Sequence, residues 1–192
     1  DAPFSRVRQY SRFRRHEPGL PVALPGTLLG TLPGEYVTVR FYFSDCFPDT
    51  PDNRAFVSRT IAAIAEQTDV VVLHAGIGLD DHAAAVAEGR RRIHVIDAGA
   101  SPRENLAIQT AVIANARGFA GTYGGFSYLA PLHGVDTVAF YSVRNFQVSH
   151  LHAAQHIIDA VDGGALTPLD VRQASVVNLA TGVGRVQGGQ QL

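Results

Sequence analysis

From Glu35 onward the chain alternates short apolar runs with stretches of helical period. Tyr36 to Phe43 (YVTVRFYF) is rich in β-branched and aromatic residues and predicts a first strand. A loop with Pro48 and Pro51 follows. Apolar residues at Phe56, Val57, Ile61, Ile64 and Ala65 then mark one face of a helix ending near Glu66, with Asp52 or Asn53 as its cap. Asp69 to His74 is a nearly unbroken apolar run, the pattern of a strand whose sheet is covered on both faces. Asp80 to Gly89 predicts a short alanine-rich helix closed by Gly89, and Arg92 to Asp97 predicts a third strand. Ser101-Pro102-Arg103-Glu104 has the form of a capping box with proline at the first helical position. The helix it opens continues through Asn105 to Asn115.

Gly118 to Ala120 reads as a brief buried strand that stops at a turn, Gly121-Thr122-Tyr123-Gly124-Gly125. Phe126 to Leu132 predicts a short helix bounded by Pro131 and Gly134, and Thr137 to Tyr141 the next strand. Ser149 to Val161 predicts a helix ended by Gly163-Gly164, and Pro168 to Leu179 another. Repeated strand–helix units specify an α/β protein with a doubly wound, mostly parallel, Rossmann-like sheet. Residues 1 to 34 differ: a basic and aromatic start (Arg6, Arg8, Arg12, Arg14, Arg15 among Phe4, Tyr10 and Phe13) leads into a Pro/Gly-rich connector. The expected organisation is an arm and connector over 1–34, an α/β domain over 35–181 and a flexible tail over 182–192.

Composition narrows the function classes. A net charge of −1 argues against a protein that binds nucleic acid by neutralising phosphates, and the basic arm is read as a contact for a partner domain ahead of a patch for nucleic acid or an anionic membrane surface. The single cysteine, Cys46, rules out an internal disulfide framework and a cysteine-based zinc cage, and a reducing cytoplasm is the expectation. No apolar run reaches the roughly 18 residues of a membrane span. Because the chain begins with Asp1, it is expected to be a piece of something longer.

Chemistry concentrates at the glycine-rich turn. Strand, turn and helix N-terminus together present backbone N–H groups and a positive dipole end to an anion. Neither G-x-G-x-x-G after the first strand nor G-x-x-x-x-G-K-[ST] is present. Gly121, Thr122, Gly124 and Gly125 are candidates to meet a diphosphate, the alternative being a structural turn. Ser127 either adds a hydroxyl or caps the helix. Tyr123 and Phe126 either stack on a base or sugar or belong to the core. Gly76, after the second strand, and Gly99, after the third, reach the same sheet edge, where backbone can contact a nucleoside. Arg40, in an apolar strand, is costly unless paired, with Asp45 as one available partner. His150, His152 and His156 lack the spacing and the fourth ligand of a metal site, so no metal is expected.

The segments GEYVTVRFY, DVVVLHAG and RIHVIDAGASPRENLAIQTAVIANARGFAGTYGGFSYLAPLHGVDTVAFYS resemble the donor half of GT-B glycosyltransferases of the heptosyltransferase-like and fucosyltransferase-like kind. Ala116, Phe119, Gly121-Thr122, Gly124-Gly125, Leu129-Ala130, Gly134 and Thr137 to Phe140 carry the likeness, which covers about residues 35 to 161. Tyr123 and Phe126 stand where some relatives carry an acidic residue or a histidine. The resemblance implies a nucleotide diphosphate sugar as donor substrate, no further cofactor, and a diphosphate held by the glycine-rich segment and Arg40. It also implies a base gripped by the loop after the third strand and a ribose contact from Ser101, Glu104 or Asn105. The general base and the acceptor site would belong to an N-terminal domain or a separate subunit. Two alternatives stand beside this reading: a nucleotide-sugar 2-epimerase on the same fold, and a non-catalytic nucleotide-binding or scaffolding module.

Overall fold

The computed structural model describes residues 26, 28, 30–74, 92–97 and 102–173. The expected helix at Asp80–Gly89, the arm and the tail lie outside these residues. The elements in chain order are β1 (Tyr36–Arg40), α1 (Pro51–Ala65), β2 (Asp69–His74), β3 (Ile93–Asp97), α2 (Pro102–Ala114), β4 (Gly118–Thr122), α3 (Gly125–Leu132), β5 (Thr137–Tyr141), α4 (Val148–Ala160) and β6 (Leu166–Asp170). Among the described residues the strands form one parallel sheet in the order β3-β2-β1-β4-β5-β6. This is the expected doubly wound, Rossmann-like architecture. Among the described residues no helix is long and apolar enough to cross a membrane.

Strand period 2 sorts the core onto two faces. Val37 and Val39 of β1, with Val70 and Val72 of β2, pack against Val57, Ile61 and Ile64 of α1. On the other face Tyr36, Val71, Leu73 and Phe119 meet Val112 and Ile113 of α2 and Ala130 of α3. The connector contributes Leu28 and Leu32 to this second cluster. Tyr36 pins the start of β1 to the end of α2 by donating its phenol to the Val112 carbonyl at 2.8 Å, and burial pushes its pKa up to about 12.

Several boundaries differ from expectation for local reasons. Thr50, not Asp52 or Asn53, caps α1: its hydroxyl accepts from the Asn53 N–H at 3.2 Å, and Pro51 takes the first helical position. Asn53 is buried instead, donating to the Pro48 carbonyl and the Ser142 hydroxyl. Pro131 lies inside α3, which closes beyond it in a Schellman motif. There the Val135 N–H reaches the Ala130 carbonyl and the Gly134 N–H reaches that of Pro131, with Gly134 at φ +79°. The helix expected from Pro168 is replaced over its first residues by β6, an edge strand, where a residue lacking an N–H is tolerated. The expected β1 extension to Phe43 ends at Arg40, beyond which Phe41 stacks on Phe140 at 5.9 Å.

Thr38, in the middle of β1, is fully buried, and among the described residues its hydroxyl meets no hydrogen-bond partner. Replacing a buried, unpaired hydroxyl by a methyl group removes a desolvation cost. Thr38→Val is expected to raise unfolding free energy by about 1 kcal/mol. A chemical-denaturation midpoint below that of the parent would contradict this assignment.

Candidate functional site

In an open parallel sheet the connections that leave the two strands at a reversal in order go to opposite faces, and ligands bind in the crevice this leaves outside the carboxyl ends. Here β2 and β3 run outward on one side of β1, and β4 to β6 on the other. The reversal therefore falls between β1 and β4, with Arg40 opposite Gly121 at the last paired position. Immediately beyond it, backbone pairing gives way to a side chain. The Thr122 hydroxyl accepts from the Tyr42 N–H at 3.0 Å and donates to the Tyr42 carbonyl at 2.7 Å. Thr122 thus holds the crevice walls together, and both capacities of its hydroxyl are engaged.

The turn that leaves β4 divides into residues explained by the protein's own contacts and residues that are not. Gly121 is buried within β4 rather than in the turn, and a Cβ on it would press into the Arg40 carbonyl oxygen. A Cβ on Gly124 would collide with the Tyr42 hydroxyl. Tyr123 turns into the core, its ring 4.2 Å from that of Phe146 and edge-on to Tyr128, and burial raises its pKa. Among the described residues its buried hydroxyl meets no hydrogen-bond partner. Ser127 caps α3, accepting from the Gly124 N–H at 3.0 Å and donating to the Gly124 carbonyl at 2.7 Å.

Gly125 is different. It is exposed, it opens α3, and a Cβ on it would meet nothing within 4 Å. Packing gives no reason for glycine here, whereas close approach of a ligand to the backbone does. Among the described residues, the N–H groups of Gly125, Phe126 and Ser127 donate to no protein acceptor. They are the unsatisfied donors of a helix start, together with its positive dipole end.

Arg40 adds a cation beside them. Its side chain is 7% exposed, and its Nη1 donates to Gln109 Oε1 at 2.5 Å. Its guanidinium carbon lies 4.0 Å from the centroid of the Phe126 ring, a cation–π geometry. Phe126 therefore supplies both the ring against the guanidinium and one of the free N–H groups. Asp45 is not among the described partners of Arg40. Gln109 in turn donates to Asn105 Oδ1 one helical turn earlier, and both are buried.

The structure thus brings Arg40, Gly125 and Phe126 together at one crevice, with Gly121, Thr122, Gly124 and Ser127 building its walls. Glu104 is exposed in the first turn of α2. Gly76, Gly99 and Ser101 lie outside the described residues. Among the described residues no group of three or more His, Cys, Asp or Glu could hold a metal ion, and His150, His152 and His156 are exposed on α4. Gln109 escaped the reading of sequence; its signal was a polar pair, Asn105 and Gln109, four residues apart and so on one face of an otherwise apolar helix.

No family model and no curated protein matches the chain. Among solved structures it is similar to Thermosulfurimonas dismutans KpsC, a beta Kdo 2,4 transferase. The TM-score is 0.43 at 13% identity, over 73% of this chain and 43% of that one. The chain spans less than half the length of that protein.

The division of the glycines is directly testable. Gly121→Ala forces the β1 backbone to move and is expected to cost more than about 2 kcal/mol of stability. Gly125→Ala is expected to stay within about 0.5 kcal/mol of the parent. Equal thermal-melt midpoints for the two variants would contradict the assignment.

Proposed function

We propose that this chain contains the donor-binding domain of a glycosyltransferase that uses a nucleotide diphosphate sugar. In the proposed reaction the sugar passes to an acceptor hydroxyl and a nucleoside diphosphate departs. One observation carries the reading: three unsatisfied N–H groups at the start of α3 lie beside the buried Arg40 guanidinium, at the crevice between β1 and β4. That combination suits a diphosphate, whose oxygens accept from backbone donors and from a guanidinium. The resemblance of residues 35 to 161 to GT-B donor halves is what turns an anion site into a sugar-donor site.

Within this reading the site's work is electrostatic. Negative charge grows on the leaving diphosphate as the glycosidic bond to it breaks. Donors already fixed in place stabilise that charge without having to reorganise. The Gly125, Phe126 and Ser127 N–H groups are held by the helix, and Arg40 is held by Gln109 and Phe126. Transfer also requires a base for the acceptor hydroxyl, and that role is assigned to an acceptor-binding domain or subunit. The donor's sugar and base lie, in this reading, along the carboxyl edge of the sheet, with Gly76, Gly99, Ser101 and Glu104 as the proposed nucleoside contacts.

A thermal-shift panel of UDP, GDP, ADP and CDP tests the reading. One diphosphate is expected to raise the midpoint of the parent, since a ligand that binds only the folded state stabilises it by mass action. Gly125→Ala, which leaves the fold intact, is expected to reduce that shift. A flat response of the parent to all four nucleotides would overturn the proposal and leave the turn as a structural feature.

A further inference from the structure

We infer that Gln109 is a positioning residue for the diphosphate site, fixing the direction in which Arg40 presents its guanidinium; the inference rests on the reading just given. Gln109 sits in the apolar stretch of α2 (AIQTAVIA) and is 2% exposed. Its amide is held at both ends. Oε1 accepts from Arg40 Nη1 at 2.5 Å, and Nε2 donates to Asn105 Oδ1. The orientation follows from the partners, because a guanidinium carries donors only and so requires the carbonyl end of the amide.

Arg40 is thereby restrained in two independent ways. The hydrogen bond to Gln109 holds one Nη of the guanidinium, and the Phe126 ring lies 4.0 Å from its central carbon. An arginine side chain has many rotamers, and ordering it only when a ligand arrives costs affinity. Here β1, α2 and α3 share that ordering before any ligand binds.

The chemistry of the acceptor matters as much as its position. The glutamine oxygen is a neutral acceptor, so this contact itself adds no negative charge beside the guanidinium. A carboxylate at the same place would bind Arg40 more strongly and repel an incoming diphosphate. A residue that only stabilised the fold would not separate these effects.

The test compares the parent with Gln109→Leu, Gln109→Glu and Arg40→Met, each confirmed folded by circular dichroism and titrated calorimetrically with UDP, GDP, ADP and CDP. The diphosphate that binds the parent is expected to bind Gln109→Leu about tenfold more weakly, and Gln109→Glu more weakly still. Thermal stability is expected to run the other way, with Gln109→Glu melting above Gln109→Leu. Affinity and stability moving in opposite directions across these two variants is a signature that a merely structural glutamine cannot produce. Parent-like affinity in Gln109→Glu, which should fold even where Gln109→Leu does not, would overturn the inference. If Arg40→Met loses binding while both Gln109 variants keep it, the diphosphate reading stands and the positioning role falls. If the parent binds none of the four nucleotides, both fall together.

Discussion

β1 and β4 run so close together at Arg40 and Gly121 that the space for a side chain on Gly121 is taken by the Arg40 carbonyl. One residue later their backbone pairing ends, at the point where the order of the sheet reverses. Thr122 completes the arrangement by pairing its hydroxyl with both backbone groups of Tyr42. Beyond this point lie the start of α3 and the Arg40 side chain, in contact through the Phe126 ring.

A buried arginine is an expensive thing to place at the end of a core strand, because its charge must be removed from water. The described contacts offset this with a neutral amide and an aromatic face, drawn from two different helices. The cost of burial and the geometry of those contacts serve the same end, a cation of fixed direction. The same logic separates the turn residues. Gly121 and Gly124 are small because other protein atoms occupy the space beside them, whereas Gly125 faces open space. Ser127 and Thr122 spend their hydroxyls on the protein itself, which leaves the backbone N–H groups as the available donors.

Much of this was legible in sequence where burial is complete. The runs Asp69–His74 and Thr137–Tyr141 coincide with β2 and β5 residue for residue, because central parallel strands are apolar throughout and end abruptly. β6 was not legible: Leu-Thr-Pro-Leu-Asp is short and half-exposed, and its proline fits a strand only because the strand lies at an edge. The turn was read as a candidate site without its glycines being told apart, since a glycine kept small by a neighbouring carbonyl looks the same in sequence as one beside open space. Gln109 was missed because a pair of amides on a helix, here Asn105 and Gln109, reads as a solvent-facing stripe. Only the register of α2 against β1 brings it to Arg40.

The central claim is that the free N–H groups at the start of α3 receive a diphosphate. Amide resonances of a ¹⁵N-labelled chain titrated with UDP, GDP, ADP and CDP report on those groups directly. The account predicts that one nucleotide produces its largest shifts at Gly125, Phe126 and Ser127, with a smaller response at Gln109 through Arg40. Saturable shifts that leave those three amides unmoved would contradict it.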